Sequence, residues 1–238
     1  MITLTLEQIQ QKLIEINQKG FIGISEADYR RDDGITGQLL EKEFGLRENN
    51  LSVPDLGVYE LKGFRKGSGN LTLFHKTPNR GLTPIQMFDR FGYVKASNRN
   101  PEVLKKKLFT TITGKKFNRL GLKLVSAETN TIEVYHHDEF ISGWNLTQAL
   151  NKPEKVIIVF AETTGKVNTL EERFHFKEAY RCEGFKDLTE LVNDGVIFLD
   201  LCIDQVVGDT KVPHDRGPHI RIRKSKLSEA YRIYEKIL

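Results

Sequence analysis

Val156-Ile157-Ile158-Val159-Phe160 is an unbroken apolar run, with Pro153 before it and no polar residue within it to face solvent. Strand side chains alternate between faces, so a strand written this way must be covered on both. It belongs at the centre of a sheet with layers on either side, which rules out an open sheet with one wet face. Val196 to Ile203 makes nearly the same demand. Between and around these runs lie helical patterns. Leu6 to Lys19 carries Leu6, Ile9, Leu13 and Ile16 on one stripe, with Thr5 and Gln8 at capping-box spacing and Gly20 as a stop. Thr36 to Gly45 closes on a glycine, Thr83-Pro84 opens a helix through Phe91, and Leu188 to Asn193 forms a short one. The last stretch, Ser225 to Leu238, reads as a helix burying Leu227, Ala230, Tyr231 and Tyr234. Helices alternating with strands, two of them buried, predict an α/β core with a mixed central sheet flanked by helices.

At 238 residues and 39% hydrophobic, the chain can build one sizeable core or two lobes sharing a cleft. No apolar run approaches the roughly 20 residues of a bilayer-spanning helix, and Met1 to Leu13 lacks a basic-then-apolar leader, so a cytoplasmic protein is expected. Cys182 and Cys202 have neither metal-ligand spacing nor a disulfide framework, and their apolar flanks predict buried free thiols. There is no P-loop and no dinucleotide fingerprint.

The chemistry concentrates in Pro54-Asp55-Leu56-Gly57-Val58-Tyr59-Glu60-Leu61-Lys62. On a strand, Glu60 and Lys62 share one face and Leu61 takes the other, while Asp55 can fold in from the preceding turn. Two carboxylates, with the Leu61 carbonyl, are oxygen ligands of the kind Mg²⁺ takes while keeping several waters. Lys62 is then free to orient or deprotonate an attacking water. Glu-x-Lys also fits a plain charge pair on an exposed strand, so both readings stand at this level. After it, Lys66-Gly67-Ser68-Gly69-Asn70 reads as a hairpin connection, with Leu71 to His75 as the return strand.

Net charge is only +4, yet residues 211–238 hold eight basic side chains against three acidic ones. Such a basic segment suits a polyphosphate partner, because neutralising phosphates releases counterions. Within it, Ile220 and Ile222 alternate with His219, Arg221 and Arg223, so one strand face is apolar and the other can read base edges. His214-Asp215, between Pro213 and Gly217, is a hydrogen-bonded pair or simply a turn. Lys105-Lys106-Lys107, with Lys115, Lys116 and Arg119, is phosphate-binding or a solvated face. Arg30-Arg31 is a further phosphate contact candidate.

Gly37-Gln38-Leu39-Leu40-Glu41, followed by Asp55 to Lys62, resembles the active-site segment of the MutH mismatch-repair nicking endonucleases. Leu71-Thr72-Leu73-Phe74, the following Lys-Thr-Pro, His214-Asp215 and Arg221-Ile222 more specifically resemble the MvaI/BcnI-type restriction endonucleases. This resemblance implies a PD-(D/E)xK nuclease fold in two lobes around a DNA-binding cleft. It implies a single domain over 1–238, with a catalytic lobe centred on 21–160 and a recognition part centred on 195–238. The implied activity is that of a type II restriction endonuclease: Mg²⁺-dependent hydrolysis of double-stranded DNA by a monomer at a CCSGG-type site. A cognate DNA methyltransferase would act on the same site without being bound. Carried over, Asp55 and Glu60 are metal-binding carboxylates with the Leu61 carbonyl, Lys62 is the catalytic lysine, and Glu41 is the glutamate from the preceding helix. Arg221 matches a guanine-reading arginine, and His75, Arg80, Lys211, His214, Asp215, His219, Arg223 and Lys224 complete the expected DNA-binding set. His75 and His219 stand where a relative reading an A·T centre has smaller side chains, so they are expected at the central base pair. Asp55 lies closer to Glu60 than in MutH, which requires a different turn. A repair nickase and a non-catalytic DNA-binding module are the alternatives.

Overall fold

A computed structural model describes residues 3–29, 34–46, 54–98, 100–151 and 153–238. Arg30 and Arg31, read above as a phosphate contact, lie outside them. The chain forms two compact units, one gathering residues 1–69, 151–185 and 227–238, the other 70–150 and 186–226. The segment 70–150, expected with the catalytic strand, therefore groups with the recognition strand instead.

The first unit is built on a mixed sheet. Lys155–Thr164 lies between Arg173–Phe185, to which it is antiparallel, and Glu60–Arg65, to which it is parallel. This is the central position its sequence demands. Ile157, Val159 and Ala161 face a core made with Ile9, Leu13 and Ile16 of the helix Leu6–Gln18 and with Leu39 and Leu40 of the helix Ile35–Glu43. The capping box forms as predicted, with Gln8 N–H donating to Thr5 Oγ1 at 3.3 Å and Thr5 N–H donating to Gln8 Oε1 at 2.8 Å. On the opposite face an aromatic row runs across the sheet: Phe64 to Phe160 at 6.2 Å, Phe160 to Tyr180 at 6.0 Å, and Tyr180 stacked on Tyr234 at 4.8 Å.

That row corrects the reading of the C-terminus. Only a 3-10 turn at Lys224–Lys226 and the α-helix Leu227–Ala230 are helical, and Tyr231–Lys236 is a strand paired antiparallel with Arg173–Phe185. The spacing of Leu227, Ala230, Tyr231 and Tyr234 fits a helix stripe, but Tyr231, Ile233 and Tyr234 fit a pleated surface equally well. The edge of Arg173–Phe185 supplies backbone partners and aromatic neighbours that an isolated final helix would lack.

The second unit has a sheet ordered Asn70–His75, His219–Arg223, Ile197–Val206, Leu104–Thr113, Tyr93–Ala96, with His214–Asp215 also paired to Ile197–Val206. Beside it are four antiparallel strands: Arg80–Gly81, Glu139–Asn145, Thr131–His136 and Leu122–Val125. The predicted hairpin at Lys66 to Asn70 does not form. Asn70–His75 pairs with His219–Arg223, whereas Glu60–Arg65 pairs with Lys155–Thr164. Burial decides this: Leu71 and Leu73 enter one core with Ile220 and Ile222, while Leu61 enters the other. Among the described residues, no helix is long and apolar enough to cross a membrane. Both cysteines are free, Cys182 buried and Cys202 half-buried.

Candidate functional site

In the first unit, Asp55 sits in a turn closed by Leu56 N–H donating to the Tyr59 carbonyl at 2.9 Å. Gly57 occupies the left-handed region at φ 86°, and a Cβ there would lie 2.8 Å from Thr3 Cγ2, so the turn requires glycine. This geometry folds Asp55 back along the strand. Its Oδ2 accepts the Leu61 N–H at 3.1 Å. A residue's N–H and C=O leave a strand on the same side, so the Leu61 carbonyl faces the Asp55 edge as well. Glu60 is only 5% exposed, and Lys62 Nζ lies 3.2 Å from its Oε1. The turn thus ties Asp55 to the backbone of Leu61, and strand alternation puts Glu60 and Lys62 side by side on the same short strand.

The donor set fits a hard cation. All the groups are oxygens, two of them carboxylates; among the described residues no group of three or more His, Cys, Asp or Glu gathers here or elsewhere. That leaves most of a magnesium shell to water and phosphate, which is how this ion is usually held. Glu41 is half-buried in the helix Ile35–Glu43, packed on the strand face opposite Glu60 and Lys62. Gly63 permits that packing, because a Cβ on it would stand 2.9 Å from the Thr36 carbonyl oxygen and 3.1 Å from Gly37 Cα.

Both ends of the strand are anchored by polar groups the sequence did not single out. Tyr59 Oη donates to Glu183, which also accepts from Arg181 Nε at 2.7 Å. Burial and this carboxylate together push the Tyr59 hydroxyl up. At the far end, Arg65 makes a fork to Glu172, Nε to Oε1 at 2.7 Å and Nη2 to Oε2 at 2.9 Å. Glu172 is fully buried and its Oε2 also accepts the Asn168 N–H at 2.8 Å. Burial opposes its ionisation, but the bonds from Arg65 and Asn168 prevail and hold the carboxyl below its ordinary range.

In the second unit, the register pairs His75 with His219, His219 with Asp200, and Asp200 with Thr111. Paired residues share a face, so these four form one row across four strands. The His75 and His219 rings meet edge-on, with centroids 4.3 Å apart. His219 is pushed down to about 4, first by burial, then by His75 and Arg221, so it is neutral at physiological pH. Its Nδ1 is buried and has no hydrogen-bond partner among the described residues. Arg221 extends from the same face to Asp200, Nη1 to Oδ2 at 3.2 Å, and the Thr111 hydroxyl donates to the other oxygen of that carboxylate. Asp200 was missed as a site residue; its signal is an acid set inside the apolar run Val196 to Ile203. Only 8% of it is exposed, and it fixes the Arg221 guanidinium.

Of the remaining expected DNA contacts, Lys211, His214 and Arg223 are exposed and Lys224 is half-buried. Asp215 Oδ1 accepts the Gly217 N–H at 2.8 Å, so it caps its own turn. Arg80 lies in the four-stranded sheet, bonded to Glu133 at 2.6 Å, and does not join the histidine row.

The model of the MvaI/BcnI restriction endonuclease family matches residues 10–231 of this chain. Two solved structures are similar over 100% of both chains at 20% identity: restriction endonuclease MvaI in complex with its cognate DNA substrate, at a TM-score of 0.74, and MvaI without DNA, at 0.51. At that identity the likeness shows the mixed α/β fold. No curated protein matches the chain.

Proposed function

Because this chain belongs to the MvaI/BcnI restriction endonuclease family, and is thereby a hydrolase of DNA phosphodiesters, we propose that it is a type II enzyme cutting double-stranded DNA at CCSGG-type sites, one strand at a time. The observations carrying this reading are the Asp55 bond to the Leu61 N–H and the Lys62–Glu60 pair, one residue apart on the same strand. Asp55, Glu60 and the Leu61 carbonyl would hold Mg²⁺, completing a PD-(D/E)xK site. When bound, the ion offsets charge on the phosphorane-like transition state and acidifies water. Lys62 holds the attacking water and donates to the negative charge that develops. Glu41 is assigned to this set on the family resemblance alone, since its helix packs on the other face of the strand.

Recognition rests on the second unit. Arg221, oriented by Asp200, has the fork geometry that fits guanine O6 and N7, and Lys211, His214, Arg223 and Lys224 supply neighbouring contacts. His75 and His219 meet the central base pair; the length and order of the motifs favour BcnI-type specificity for a G·C centre. One catalytic set in a monomer makes one cut per binding event, so the enzyme turns round on its pseudosymmetric site between nicks. Such an enzyme acts in the bacterial cytoplasm beside a methyltransferase of the same specificity.

The test is supercoiled plasmid carrying CCSGG sites, incubated with Mg²⁺ or with chelator, alongside Glu60→Ala. Open circles should appear before discrete linear fragments, with Mg²⁺ only and not with the variant. Cleavage that survives chelator or Glu60→Ala would overturn the assignment of the site.

A further inference from the structure

Five of the mid-chain basic residues fall into two classes. Lys105 is bound to Asp204 at 3.0 Å, Lys106 to the Asp89 carbonyl at 3.0 Å, and Lys107 to the Ala96 carbonyl at 3.5 Å. Lys95 and Arg119, in contrast, are exposed and make no ion pair among the described residues. They line one groove with Tyr93, Phe109, Thr111 and Asn118, and none of the described residues lining it is acidic.

The groove continues the histidine row. Thr111 is the residue paired with Asp200, and Tyr93 is paired with Lys107, two places from Phe109 on the same strand. By strand alternation Tyr93, Lys95, Phe109 and Thr111 therefore share the face that bears His75, His219 and Arg221. Its floor is fixed in advance. Asn118 Nδ2 donates to Thr110 Oγ1 at 2.9 Å and to the Thr111 carbonyl at 3.1 Å, while its Oδ1 accepts the N–H groups of Leu120 and Leu122 at 2.9 and 3.0 Å. Arg119 is thus presented from a braced turn. Tyr93 and Phe109, 37% and 39% exposed, give it flat walls.

We propose that this groove carries the sugar-phosphate backbone of DNA flanking the recognition site, held by Lys95 and Arg119. The proposal rests on the DNA-cleaving reading above and adds a contact outside the bases read. Phe109 and Thr111 lie three strands from His75, while Lys95 lies four away, about 19 Å at roughly 4.8 Å per strand. That equals about five to six base steps of roughly 3.4 Å along a duplex crossing the strands. A five-base-pair site extends only two pairs from its centre, so DNA at the groove lies beyond it. Uncompensated cations with no carboxylate beside them match phosphate, and aromatic walls pack against deoxyribose.

The experiment compares the wild-type chain with Lys95→Ala/Arg119→Ala, in chelator so that nothing is cut, on two duplexes with the same central site. One carries ten flanking base pairs on each side, the other two. Neutralising one phosphate contributes a slope of about 0.9 in log affinity against log salt. On the long duplex the double variant should bind at least tenfold more weakly at 0.1 M salt, with a slope shallower by about 2. On the short duplex the two proteins should bind alike. Equal binding to the long duplex, or equal losses on both, would overturn the flanking contact. Tighter capture of an acidic peptide than of the long duplex by the wild-type chain would overturn it too. Wild-type binding to neither duplex would instead remove the DNA reading beneath it. Matching thermal melts establish that the variant is folded.

Discussion

Replacing Glu172 with Gln should destabilise the first unit far more than a surface change can. Glu172 is fully buried, the Arg65 side chain is 11% exposed, and the carboxylate accepts two bonds from Arg65 and one from Asn168. Glutamine keeps one acceptor oxygen but turns an amide toward the guanidinium, leaving a largely buried cation without its counter-charge. Breaking a buried pair in this way costs about 3–5 kcal/mol, a large share of the roughly 5–15 kcal/mol that holds a typical domain folded. The assay is urea denaturation across pH, following the first unit. The folded carboxyl titrates below the unfolded one, near 4.3 for a free glutamate. Its contribution is therefore fully present above that value and is lost as pH falls through the lower folded value. The gap between wild type and variant should be constant from pH 6 to 8 and shrink below about pH 4. Arg65→Met/Glu172→Leu, which removes both charges, should recover most of the loss. A change under about 1 kcal/mol for Glu172→Gln, or a gap that ignores pH, would refute the account.

His219 titrates near 4, below the unfolded value of about 6.5, so the unfolded chain binds its proton first and stability should fall as pH drops between those values. His219→Gln should flatten that part of the profile. Discrimination at the central base pair is measured as relative cleavage of sites differing only there. His75→Ala/His219→Ala should alter that discrimination more than the rate on the preferred site; a uniform loss at every centre would exclude the role. Gly63→Ala places a methyl 2.9 Å from the Thr36 carbonyl oxygen and should cost about 1–3 kcal/mol, read as a lowered melting temperature. An unchanged melt would mean that the helix and strand separate easily.

The sequence by itself determined what depends on neighbours along the chain. Thr5 with Gln8, and Thr83 with Pro84 and Gln86, mark helix starts because a cap is satisfied within one turn. Ile220 and Ile222 mark a buried face because a strand repeats every two residues. That Glu60 and Lys62 lie side by side was legible for the same reason, and one turn is enough to fold Asp55 back onto Leu61. The tertiary structure decided which strand pairs with which. Glu60–Arg65 takes Lys155–Thr164 rather than its sequence neighbour, and Tyr231–Lys236 becomes a strand because an open edge awaits it. It also sorted the charges. Lys105 and Arg80 meet Asp204 and Glu133, acids remote in sequence, and Asp200 reaches Arg221 only across a sheet. Caps and periodicity are local and survive in any context, whereas pairing and charge compensation depend on partners that only folding brings within a few ångströms.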